Sequence, residues 1–122
     1  MAKLEHLTEE TFKTKVFNYD KNSEWVFEGD KPCLIDFYAD WCAPCRMVAP
    51  VLEQLQDDYT GKVNIYKVNT EQERNLASMF GIQSIPSMLF VPVSGQPQMA
   101  MGALPKETFV KAFKDVFNVE AN

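Results

Sequence analysis

Apolar and polar positions along this chain change their period several times, and each change marks an element. The first regular signal is Thr8 followed by Glu9 and Glu10, a helix start with its acidic residues at the positive end of the dipole. It predicts a helix over about 9–17, with Phe12 and Val16 on the inner face. Residues 18–30 are polar except for Trp25-Val26-Phe27, which reads as a long connection with a short extended piece. Residues 33–39, Cys-Leu-Ile-Asp-Phe-Tyr-Ala, are nearly all apolar, as expected of a strand covered on both faces. A helix over about 44–59 follows, with Met47, Val48, Val51, Leu52 and Leu55 at helical spacing and an internal Pro50 that should bend it. Gly61 stops it.

Beyond Gly61 the pattern is strand (63–69), helix (71–80, closed by Gly81), strand (88–91), turn at Ser94-Gly95, strand (98–101) and helix (105–117). The last helix buries Phe109, Ala112, Phe113 and Val116. Alternating strands and helices imply parallel pairs, and the closing hairpin adds an antiparallel edge. The expectation is a single α/β domain over 1–122, a mixed central β-sheet flanked by helices on both faces. Pro92 in the hairpin suggests an edge strand or a bulge there.

Composition narrows the function. A formal charge of -5 and a pI near 4.8 argue against nucleic acid or an anionic membrane as partner. No apolar run approaches the roughly 18 residues of a membrane span. The first residues carry no apolar stretch after the basic one, so no signal peptide is read and a cytoplasmic location is expected. No heptad or interface signature is evident, and a monomer is the default.

The chemistry concentrates in Trp41-Cys42-Ala43-Pro44-Cys45, where a strand feeds a helix. The chain has three cysteines, and two stand at C-x-x-C spacing. In a reducing compartment that spacing points to redox work or to metal. Zinc wants four ligands. Only Cys33 and His6 remain as candidates, and neither has ligand spacing. A redox pair has a physical reason at this junction. The unpaired N–H groups and dipole of a helix N-terminus favour a thiolate on Cys42, the attacking species in disulfide exchange. Cys45, one turn deeper, can reach the same sulfur, and Pro44 suits a first helical turn that needs no N–H partner. Cys33 alternates with Ile35 and Phe37, as a buried inert thiol would. His6 has no carboxylate or cysteine neighbour in sequence and reads as surface. The six methionines fall at core spacings.

The run from Asp36 to Pro50, Asp-Phe-Tyr-Ala-Asp-Trp-Cys-Ala-Pro-Cys-Arg-Met-Val-Ala-Pro, resembles the active-site strand and helix of the thioredoxin family. Lys67-Val68-Asn69, Phe80-Gly81-Ile82-Gln83-Ser84-Ile85-Pro86-Ser87 and Met101-Gly102-Ala103-Leu104 resemble its following segments in the same order. The match extends from about Leu4 to Phe117. The resemblance implies the thioredoxin fold and a protein-disulfide reductase that uses Cys42 and Cys45.

Asp36 taken alone is either a buried, costly carboxyl or an outward residue of an imperfect strand. The resemblance implies burial behind Cys45, a role in removing that cysteine's proton, and Lys67 as the associated lysine. The residues alone favour a trans Ile85–Pro86 bond. The resemblance implies a cis one, with Ile85 turned towards the sulfurs and its backbone free for an extended substrate. Trp41, Ala43, Pro44, Ile85, Pro86, Gly102 and Ala103 would then surround Cys42 as the substrate-facing rim.

No G-x-G-x-x-G or other cofactor cradle is present, and no cofactor is expected. The implied partners are disulfide-containing protein substrates and a separate flavin-dependent thioredoxin reductase drawing on NADPH. Two departures from the pattern stand out. Ala43-Pro44 replaces the usual Gly-Pro, and Tyr38 stands where tryptophan is common. The rivals are an oxidase or isomerase on the same fold, and a non-catalytic clamp subunit.

Overall fold

Two cores form in this protein, one on each face of a five-stranded sheet. A computed structural model describes residues 3–122. The elements run β1 (Glu5–His6), α1 (Glu9–Lys15), β2 (Cys33–Tyr38), α2 (Ala43–Asp58), β3 (Asn64–Asn69), α3 (Arg74–Met79), β4 (Ser87–Val91), β5 (Gln98–Met101) and α4 (Lys106–Phe117). The strand order is β1-β3-β2-β4-β5. β3 pairs parallel with both β1 and β2, and β4 pairs antiparallel with β2 and β5.

Alternation along β2 assigns the two faces. Leu34 points to the side covered by α2 and α4, where it meets Val48, Leu52, Leu55, Phe109 and Phe113. Ile35 and Phe37 point to the other side, against Phe12 and Val16 near α1 and Leu76 of α3. Every residue of β2 is buried, which accounts for its continuous apolar run. Each fully buried leucine or phenylalanine contributes about 1.5–3 kcal/mol from area removed from water. A polar residue in this strand therefore stands out, and Asp36 is the only one.

The elements follow the expected order, with differences that have local causes. β1 escapes the sequence reading because two residues show no period; the backbone of Leu7 also donates to Lys67 O (2.8 Å). Residues 25–27 form no strand. Trp25 packs on Phe17 instead, with ring centroids 4.8 Å apart, and Glu28 N–H donates to Val16 O. α2 runs through Pro50, which lies on its exposed side. Met47 does not join the inner stripe. It is one position, about 100°, away from Val48 and is 75% exposed. Met79, Met99 and Met101 are also exposed, so only part of the methionine set fills core. Pro92 follows the last residue of β4 outside the ladder; β4 is an interior strand, and the edge is β5.

Thr8 caps α1 as its position suggests. Its Oγ1 accepts from Thr11 N–H (3.2 Å), and Thr11 Oγ1 accepts in return from Thr8 N–H (2.8 Å). Thr8→Ala leaves the Thr11 N–H without its side-chain acceptor. It is expected to lower the unfolding free energy by about 1 kcal/mol, read from the urea midpoint at constant slope.

Candidate active site

Cys42 is the N-cap residue of α2, at the point where the chain leaves the sheet. Its backbone is extended (φ -86°, ψ 108°), and its Sγ accepts from Cys45 N–H at 3.2 Å. Ala43 and Pro44 occupy the first helical turn, where the missing proline N–H costs nothing. Cys42 and Cys45 are joined in a disulfide, with Cα atoms 5.3 Å apart. The helix start thus holds the two sulfurs within bonding reach and directs the Cys45 N–H at Cys42 Sγ.

The bond is well covered, since Cys42 is only 4% exposed. Its surroundings carry the apolar surface. Trp41 is 66% exposed, with its indole fixed by a bond from Nε1 to Glu71 Oε2 (2.8 Å). Ala43 and Pro44 are exposed beside it. The Ile85–Pro86 peptide is cis. Ile85 packs on the cluster of Tyr38, Ala39, Cys42 and Cys45, and its carbonyl oxygen lies 3.8 Å from Cys42 Sγ. Pro86 is buried, and its oxygen accepts from Gly102 N–H (2.8 Å). Gly102 holds φ at 103°, a region open to glycine, and Ala103 follows it exposed. Met101, just before, is 67% exposed.

Asp36 is 1% exposed, on the α2 side of β2. Neither of its carboxylate oxygens has a hydrogen-bond partner among the described residues. Burial pushes its pKa up to about 7, against the opposing pull of the Lys67 charge. Lys67 stands opposite Asp36 in the β2–β3 register. It makes no salt bridge among the described residues, and its Nζ lies over the Tyr38 ring, 4.2 Å from the centroid. A cleft of about 130 Å³, lined by Cys45, Lys67, Tyr38, Arg46 and Ala49 among others, opens beside Cys45.

Cys33 is a free thiol on the opposite face, buried, and burial pushes its pKa far up. Among the described residues no three His, Cys, Asp or Glu side chains stand together as a metal site. Among the described residues no helix is long and apolar enough to cross a membrane.

Four supporting residues carry no signal that a sequence pattern could expose. Glu71 fixes Trp41 from 30 positions away. Arg46 Nη1 donates to Asp40 O (2.7 Å) and ties down the loop before Cys42. Thr70 binds Tyr38 O through both its N–H (2.8 Å) and its hydroxyl (3.0 Å). His6 stays on the surface as expected, yet its Nδ1 is 3.2 Å from the Tyr38 hydroxyl.

A family model for thioredoxin matches residues 3–115. The chain belongs to the thioredoxin family. A thioredoxin of Borreliella burgdorferi is 46% identical over 111 residues, covering 91% of this chain and 95% of that protein. A chloroplastic M-type thioredoxin of Pisum sativum is 40% identical over 103 residues, or 84% of this chain and 60% of that longer protein. The crystal structure of chloroplastic thioredoxin z superposes with a TM-score of 0.79 at 23% identity, covering 95% of this chain and 96% of that one, which attests the fold. This member of the family is accordingly a protein-disulfide oxidoreductase, and thiol–disulfide exchange is the chemistry of its paired cysteines.

Proposed function

We propose that this protein acts as a one-domain, monomeric disulfide reductase of the cytoplasm, with the two cysteines in distinct roles. The Cys42 thiolate attacks one sulfur of a substrate disulfide. A mixed disulfide forms and one substrate thiolate leaves. Cys45, as thiolate, then attacks Cys42 Sγ. The second substrate thiol is released and the Cys42–Cys45 disulfide remains, so two electrons have passed to the substrate. Asp36 takes the proton that Cys45 gives up, and Lys67 is the charge that acts on that carboxyl from the neighbouring strand. Trp41, Ala43, Pro44, Ile85, Pro86, Gly102 and Ala103 receive the substrate chain.

One observation carries the reading: Cys42 caps α2 with its sulfur on the Cys45 N–H while bonded to Cys45. The Asp36 role is supported by a buried carboxyl whose pKa is displaced into the neutral range. The oxidised pair must be reduced again from outside, and an NADPH-dependent flavin reductase fits a chain without a cofactor cradle. An odd cysteine count with a lone C-x-x-C supports a reducing compartment.

The test is equilibration of the pair with glutathione, counting thiols by mass. A reductase should be more reducing than the cytosolic glutathione poise of roughly −220 to −260 mV. A value clearly more oxidising would place the protein with oxidases or isomerases and assign the difference to Ala43.

A further inference from the structure

His6, Lys67 and Asp36 form one row across three neighbouring strands, since Lys67 is the register partner of both others. In a parallel ladder such residues point to the same face. An ammonium placed there would ordinarily pair with the buried carboxylate. It does not: both Asp36 oxygens are without hydrogen-bond partners among the described residues, and Lys67 Nζ lies over the Tyr38 ring. That ring is itself held in place. The Tyr38 hydroxyl meets His6 Nδ1 at 3.2 Å, and the two rings meet edge to face at 86° with centroids 5.9 Å apart. Thr70 fixes the Tyr38 backbone from the other side.

We propose that Tyr38, steadied by His6, is a positioning residue: its ring draws the Lys67 ammonium away from Asp36 and leaves that carboxyl without an ion-pair contact, under the weaker pull of a more distant charge. The consequence for exchange rests on the reading that Asp36 receives the Cys45 proton. A carboxylate clamped by an ammonium is a weak base. One held out of contact with the ammonium in a buried site is a stronger base, matched to neutral pH.

The other charged and titratable groups on this side do not take over the Lys67 role. Arg46 of α2 is engaged on the Asp40 carbonyl. Asp40, Cys45 and Arg46 line the small cleft with Lys67 and Tyr38. Glu53 of α2 and Lys3 line a wider cleft of about 340 Å³ with His6 and Lys67, so Glu53 is the competing destination for a freed ammonium.

The experiment is a carbon-detected NMR titration of the Asp36 carboxyl in the full oxidised chain. It compares wild type, Tyr38→Phe and Tyr38→Leu, each with and without Lys67→Met. Tyr38→Leu removes the π face, and the Asp36 midpoint should fall by at least about one pH unit as Lys67 approaches. Tyr38→Phe keeps the ring but loses the hydroxyl to His6, and should give a smaller fall in the same direction. In the Lys67→Met background both falls should vanish, because Tyr38 acts only through Lys67. An unmoved midpoint in Tyr38→Leu, as when the ammonium goes to Glu53, overturns the proposal. So does an equal fall without Lys67, which would mean simple hydration of the site. If Tyr38→Leu does not fold, Tyr38→Phe decides by the same criteria. The pH profile of exchange in these variants separates the two readings. If the midpoint falls and the profile does not follow, the placement of Lys67 stands while the part of Asp36 in exchange falls.

Discussion

Replacing Asp36 by asparagine should leave stability at pH 4 nearly unchanged and raise it by on the order of 4 kcal/mol at pH 9. The two side chains are close in size, and below pH 4 both are neutral in the folded protein. The difference comes from ionisation. In the unfolded chain the carboxyl titrates at its ordinary value of 3.8, whereas in the folded protein burial holds the proton until about pH 7. Between those values the folded state binds more protons than the unfolded one, so stability falls as pH rises. The stabilising contribution of the neutral carboxyl is complete below pH 3.8 and lost by the time pH passes about 7. The displacement is about three pH units, each equivalent to about 1.4 kcal/mol, with no discount for solvent because the group is buried. The asparagine variant has no such titration. Urea or guanidinium unfolding of the oxidised protein from pH 4 to pH 9 measures both curves. Parallel curves would show that Asp36 is hydrated or paired in solution. The same variant bears on exchange: if the carboxyl accepts the Cys45 proton, its pH–rate profile loses the inflection near neutrality that wild type should show.

A residue that destabilises the protein at working pH is hard to find by pattern, and here sequence reading reaches its edge. The strand around Asp36 was legible because its neighbours are all apolar, yet the same run left the direction of Asp36 open. Only the resemblance to a family favoured burial, and the structure places it in the α2-side core. The cysteine pair was legible in full, because spacing along a helix start fixes the geometry. The helix faces were legible where several apolar residues share a period, as in α4. Met47 shows the limit: one step of about 100° separates a core position from an exposed one, and composition does not mark the difference. What escaped altogether was long-range pairing. β1 is too short to show a period, and its His6 gains meaning only from Tyr38, 32 positions later. Glu71 under Trp41 is of the same kind. Such contacts depend on which strands become neighbours, and local pattern holds little record of it.

Cys42→Ser and Cys45→Ser should fail in different ways, and the difference tests the order of attack. Cys42 is the sulfur at the helix start, next to exposed Trp41, Ala43 and Pro44 and beside the Ile85 carbonyl. A serine hydroxyl there does not ionise at neutral pH, so Cys42→Ser should reduce protein disulfides no faster than the uncatalysed background and form no covalent adduct. Cys45 lies in the first turn of α2, three residues on, and shares with Cys42 the buried cluster of Tyr38 and Ala39. Cys45→Ser retains the attacking thiolate and loses the group that cleaves the mixed disulfide. It should complete the first half of the reaction and stop, accumulating a Cys42–substrate species that gains the substrate's mass and is released by dithiothreitol. Intact-mass spectrometry with a disulfide-bonded protein reads both outcomes. An adduct on Cys45 in the Cys42→Ser variant, at a rate comparable to that of Cys42, would reverse the roles. The geometry argues against that reversal, because the Cys45 N–H points to Cys42 Sγ, so the backbone donor that favours a thiolate serves Cys42.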